Sequence, residues 1–318
     1  MRSICAVLAP LVVVGLFSSA AEADVTRAWQ AAKDNLPAAA FPAIAAFDVA
    51  AIVKLPAFNK VLDVLQNENH EVKEVLGLFK STCNLDVTTS VDGFVIAGDP
   101  AGRDDDIMVF VQLKIDRAKT SNCIETLLKT VEKKQQVDVK QDGMFSVVSV
   151  GKETGYFAWV APNVVAFALD PENKSRVEGF LSTKGFAKGP VGALLGKLDP
   201  KAVAFGAIKT AKPIDRDLPV TSAYGNAVLN GTTVSATVVG TATDAGTAAK
   251  FADGLKQELA KMAKRDRTPA VAKKILNAIS IAASNTDITI KGSVATGDLL
   301  EAMLEMTKKT AEPPPQAP

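Results

Sequence analysis

One histidine, two tyrosines, two tryptophans and three cysteines are all that 318 residues supply of these types. A lone histidine excludes multi-histidine metal centres. So few tyrosines and tryptophans exclude the aromatic platforms on which sugars or bases stack. A charge excess is lacking too: 36 Lys plus Arg stand against 35 Asp plus Glu, a formal +1. Nucleic-acid binders carry a basic excess or stripe, so no nucleic-acid partner is expected. No Gly-x-Ser-x-Gly elbow, phosphate-cradling Gly-rich loop or Cys-x-x-Cys is present, which removes the commonest nucleophile, nucleotide and redox motifs.

Long hydrophobic runs are also scarce. The longest, Ile4 to Phe17, follows Met1-Arg2 and is interrupted by Pro10 and Gly15; a spanning helix needs about 20 apolar residues. Ala21-x-Ala23 behind it is a small-residue cleavage pattern, so residues 1–23 read as a signal peptide cut after Ala23. Cys5 lies at the start of the run, not just behind it, which argues against a lipoprotein. No later run approaches spanning length, and the expectation is a soluble periplasmic or secreted protein with no transmembrane segment after cleavage.

Cleavage leaves Cys83 and Cys123, and two thiols in an oxidising compartment predict one disulfide. Cys123 falls on the apolar face that Ile124, Leu127, Leu128 and Val131 form at helical spacing, and Cys83 in the loop after a helix over 70–80. A Cys–His nucleophilic pair fails on distance, since His70 and Cys83 end the same helix about 16–20 Å apart. His70 and Glu74 share a face at ligand spacing, but the second histidine of a zinc-protease helix is missing. No metal and no cofactor are therefore expected.

Ser149-Val-Gly-Lys152 spells a Ser-x-x-Lys pattern, yet it falls on a strand and hairpin where that chemistry needs a helix start. Asp99, Asp104, Asp105 and Asp106 lack calcium-loop spacing and read as a charged hairpin tip. Lys256, Lys261, Lys264, Arg265, Arg267, Lys273 and Lys274 gather around one helix–helix corner. They form a candidate interaction surface for anionic head groups or an acidic partner, although several also complement a helix C-terminus.

Periodicity and turn signals predict an α+β fold of two tandem, possibly duplicated modules, each an antiparallel or mixed sheet with helices on one face. The boundaries are an N-terminal helix and linker at 24–42, modules at 43–184 and 185–310, and a Pro-rich disordered tail at 311–318. At an offset of 128, Asp116 aligns with Asp244, each a helix N-cap directly after a strand. Asn230-Gly231 predicts a tight hairpin with positive φ at both residues. The functional expectation is an exported, non-enzymatic binding protein with no catalytic residues, its partner an unknown protein or a lipid-like ligand. A carrier of a hydrophobic ligand would show an apolar pocket between sheet and helices. A hydrolase using carboxylates or Ser/Lys would show those groups converging in a cleft.

Overall fold

A computed structural model describes residue 29 and residues 41–68, 70–99, 107–132, 135–168, 174–182, 189, 191–199, 201–214 and 218–302. The expected signal peptide, Cys5, most of the segment 24–42, Asp104 to Asp106 and the tail lie outside the described residues.

In chain order, β1 (Ala43–Asp48) leads to α1 (Val49–Ile52), α2 (Pro56–Glu68), α3 (His70–Cys83) and α4 (Val87–Ser90). Then come β2 (Val91–Gly98), β3 (Met108–Leu113), α5 (Arg117–Val131), β4 (Val137–Asp142), β5 (Phe145–Val150), β6 (Glu153–Ala161) and β7 (Val164–Ala168). They are followed by α6 (Lys174–Ser182), α7 (Gly192–Leu195), β8 (Ala202–Lys209), β9 (Val220–Asn230) and β10 (Thr233–Ala242). Last are α8 (Ala245–Lys264), α9 (Ala270–Asn277), β11 (Ile279–Ser284) and β12 (Asp287–Ala295). Residues 296–302 are helical.

Local chemistry sets several of these boundaries. Asp116 and Asp244 each accept a hydrogen bond at 2.8 Å, from the N–H of Lys119 and of Thr247, and so satisfy an orphan donor of α5 and α8. Asp48 and Asp86 do the same for α1 and α4. Thr268 does not cap α9: its hydroxyl donates to the Met262 carbonyl, and Pro269 stands at the cap without a side-chain bond. Two-residue hairpins follow Asp142, Val150, Asn230 and Ser284, with Gly143, Gly151, Gly231 and Asn285 at positive φ. The Asn230-Gly231 expectation is corrected by one residue. Asn230 pairs with Thr233, so the loop is Gly231-Thr232 and only the glycine has positive φ, the type II′ pattern.

All strands among the described residues join one 12-stranded sheet, in the order β11-β12-β10-β9-β8-β1-β2-β3-β7-β6-β5-β4, and every pairing is antiparallel. The α+β class and the antiparallel sheet are as expected. The strands of 43–184 and of 185–310 share this sheet through the β1–β8 pairing, in which Ala45 lies opposite Gly206. Helices lie on both faces where one was expected. On one face, Val177 and Leu181 of α6 with Val191 and Leu194 at α7 cover Ile44, Val95, Phe110 and Ala207. On the other, Leu76, Phe79, Ile124 and Leu128 of α3 and α5 cover Phe94, Val109, Phe157, Trp159 and Phe167.

Candidate binding site

Among the described residues, the second face is covered at its two ends and bare between them. At one end stand α3 and α5, with α2 beside them, where Phe47 and Leu62 pack against the buried pair Leu55 and Phe58. At the other stands α8, whose Ala248 and Ala252 meet Ala242 and Ile288 while Phe251 meets Ile281. Between these walls β1, β8, β9 and β10 floor an apolar trough of about 660 Å³.

The pairing registers define the floor. Ile96, Ala45, Gly206, Gly225 and Val238 are successive partners across five strands, a span of about 19 Å at the usual strand spacing. The flanking row runs Phe47, Ala204, Ala227, Ala236. Side chains alternate between faces. Ile44, Ala46, Phe205 and Ala207 are buried under α6 and α7, while Ala45, Ala204 and Gly206 are only half-buried. Val238 is 43% exposed, a large apolar side chain on this face. The glycines cannot gain a side chain freely: a Cβ on Gly225 would lie 2.9 Å from the Thr237 carbonyl oxygen, and one on Gly206 would lie 3.1 Å from that of Ile44. The floor is therefore low because neighbouring backbone already fills the space a side chain would need.

Of the residues lining the trough, only Asp99 and Tyr224 carry titratable groups. The Tyr224 ring packs toward the opposite face, with the Lys197 ammonium 5.3 Å from its centroid. The trough thus offers dispersion contact and dehydration, with little hydrogen bonding.

A second, smaller cavity of about 110 Å³ lies between the sheet and α3 and α5, with Phe79, Cys123 and Ile124 on the helix side. Its polar edge is a linked set. Trp159 Nε1 donates to Ser146 Oγ at 2.9 Å, Ser121 and Ser146 hydroxyls are 3.2 Å apart, and Gln141 Nε2 donates to Ser121 Oγ at 2.9 Å. Arg117 ties the start of α5 to the β4–β5 hairpin by donating to the carbonyls of Gly143 and Phe145. Burial lowers its pKa from the ordinary arginine value.

The residues singled out from the sequence fall as follows. Cys83 and Cys123 form the expected disulfide, with Cα atoms 5.1 Å apart. Cys83 is the last residue of α3 and not in the following loop, and Val131, expected on the buried face of α5, is 43% exposed. His70 is exposed, 3.6 Å from Glu74. Ser149 is half-buried on β5 and Lys152 exposed in the hairpin turn, so the two do not share a helix start. Among the described residues, no three His, Cys, Asp or Glu side chains group to hold a metal, and no helix is long and apolar enough to cross a membrane. Within the basic corner, Lys256, Lys261 and Lys274 are paired with Asp253, Glu258 and Asp298. Lys264, Arg265 and Arg267 are exposed and Lys273 is half-exposed. Sequence reasoning missed the trough itself. Its signal was the alternation of small with large residues in Ala204-Phe205-Gly206 and Ala223-Tyr224-Gly225.

No family model and no curated protein matches the chain. Its fold is similar to that of TP0453. Crystal form I gives a TM-score of 0.50 at 11% identity over 86% of this chain and 97% of that one. Crystal form III gives 0.51 at 13% identity over 86% and 97%. At such identities the likeness is one of fold, helices joined to a large antiparallel sheet.

Proposed function

We propose that this is an exported binding protein that works without catalysis, and that its trough carries a hydrophobic, lipid-like ligand. One observation carries the reading: a continuous apolar floor, low in its middle rows and flanked by helices on the same face, left open at about 660 Å³. That volume lies within the range of small-molecule sites, and predominantly apolar lining is what such sites show. A bare apolar area of this kind on a folded protein marks an interaction site. Export is supported by the signal pattern at 1–23 and by the disulfide, which persists in oxidising compartments.

Duplication belongs to the same reading. In each half a strand is followed within three residues by an aspartate that caps a helix, β3-Asp116-α5 and β10-Asp244-α8. Both helices cover the same sheet face, and a doubled unit makes two walls around one floor.

Filling the trough tests the function. Ala204→Phe and Ala227→Leu project bulk from positions that already carry a Cβ, so the strands are expected to keep their pairing. Binding of a fluorescent acyl probe is expected to weaken at least about tenfold in the double variant, as for loss of much of the buried apolar area. Unchanged probe affinity with an unchanged melting temperature contradicts the proposal.

A further inference from the structure

We infer that the trough and the smaller cavity are two parts of one site, and that the end of a single straight alkyl chain lodges in the cavity beneath the α3–α5 wall, an inference that rests on the binding function proposed above. The strand registers bring the two together. The floor row Val238, Gly225, Gly206, Ala45, Ile96 does not stop at β2. Ile96 pairs directly with Val109 of β3, and Val109 with Phe167 of β7. The first five residues of that row line the trough, and Val109 and Phe167 line the cavity. Directly opposed residues point to the same face of a sheet, so the row is one apolar band running from β10 to β7. The neighbouring row makes the same step. Phe47 of the trough lies opposite Phe94 of the cavity, and their rings stack with centroids 4.8 Å apart. A chain laid along the floor row thus points its end at the cavity.

The cavity's chemistry suits a methyl end. Of its lining, Thr120 has its hydroxyl donating to the Asp116 carbonyl, and Ser146 Oγ is engaged by Trp159 Nε1, Ser121 and Gln141. Phe79, Val91, Phe94, Ile124, Phe157 and Phe167 stand around them. A polar group entering there loses its water and finds these partners taken, a cost that an alkyl group does not meet. Protein interiors keep few voids larger than a water molecule, yet this one holds about 110 Å³. An engineered apolar cavity of roughly 150 Å³ stays dry and takes up benzene. The space under the wall therefore admits the last few carbons of one straight chain, with no room for a second chain. Its roof is kept from settling. The Cys83–Cys123 disulfide joins the end of α3 to α5, and Arg117 fastens the start of α5 to the β4–β5 hairpin. Phe79, Val111 and Ile124 of the lining are only half-buried, so the cavity is not sealed.

The test reads where the end of the chain goes. Trp159 lines the cavity, while the other tryptophan, Trp29, packs on Phe205 toward the opposite face. In the Trp29→Phe variant Trp159 is the sole tryptophan. Lysophosphatidylglycerol with bromine on the last carbon of its chain is expected to quench most of the Trp159 emission at saturation. The same lipid with bromine beside the head group is expected to leave that emission bright. In competition for the fluorescent acyl probe, affinity is expected to rise about fourfold with each added methylene and to level off once the cavity is full. Ile124→Trp, which fills the cavity from the helix side, is expected to level off about two methylenes sooner, a loss of about fifteenfold for long chains, with short chains unaffected. Trp159 left bright by the terminal bromine, or quenched equally from both positions, overturns the inference. So does a chain-length plateau that Ile124→Trp leaves in place. Should Ile124→Trp fail to fold, the quenching measurement alone decides. The carrier function stands through these outcomes as long as the Ala204→Phe/Ala227→Leu variant still weakens binding. If no chain binds the wild-type protein, the binding function fails and this inference falls with it.

Discussion

The two walls of the trough are built differently. The α3–α5 wall rests on Phe94, Phe157, Trp159 and Phe167, encloses a hydrogen-bonded set around Ser146, and is fastened by the Cys83–Cys123 disulfide. The α8 wall rests on Ala242, Ala248, Ala252 and Ile288, with Phe251 and Ile281 half-buried beside them. Dispersion and hydrophobic contributions scale with the contact and area involved, so a wall seated on alanines is held far more weakly than one seated on aromatics. The difference would suit the proposed carrier, with one fixed side and one side able to yield as a chain enters, since mobile elements are drawn from the low-stability end of a structure.

The largest effect that sharpens this contrast is Phe157→Ala. It removes a ring from under the α3–α5 wall and is expected to cost about 3–5 kcal/mol in denaturant unfolding. A cost under 1 kcal/mol would show that this wall is not seated on its aromatics. Next comes the disulfide: the Cys83→Ala/Cys123→Ala pair is expected to lower stability by about 3–4 kcal/mol in the chain-entropy account. The same change should leave protection of α8 amides the same in hydrogen exchange. Equal loosening of both walls would break the comparison. Ser146→Ala leaves Trp159 Nε1 and the Gln141 and Ser121 groups short of a partner and is expected to cost about 1–3 kcal/mol.

The smallest effect is one of pH. Hydrogen bonds from the Thr247 hydroxyl and N–H hold the Asp244 carboxyl below its ordinary pKa. A depressed folded pKa means that the cap's contribution is complete above the ordinary aspartate range and is lost as pH falls through the lower folded value. Amide exchange at the start of α8 is expected to quicken over that acid range, and Asp244→Ala to abolish the dependence. A dependence that persists in the variant would place its origin elsewhere.

Much of the local structure was legible in the residues. The bounds of α8 follow from the Asp244 cap and the Phe251, Leu255, Leu259 spacing, and the disulfide follows from compartment and cysteine count. The single sheet was not legible, because the β1–β8 pairing joins residues some 160 apart in sequence and local patterning carries no information about such partners. The trough was hidden for a related reason. Ala43-Ile44-Ala45-Ala46-Phe47 is apolar on both faces, so alternation of polarity could not say which face would be covered. The exposed Val131 shows the converse: a spacing that fits a helix face places a residue on it without deciding how far the neighbouring wall extends.

The proposed function puts a lipid-like chain on the uncovered middle of the sheet. Alanine-methyl NMR during titration with lysophosphatidylglycerol addresses it residue by residue. Saturable shifts are expected at Ala45, Ala204, Ala227 and Ala236, with Ala46 and Ala97 on the covered face unmoved. Shifts confined to Ala46 and Ala97, or none at any of these methyls while the probe is bound, would contradict this placement of the chain.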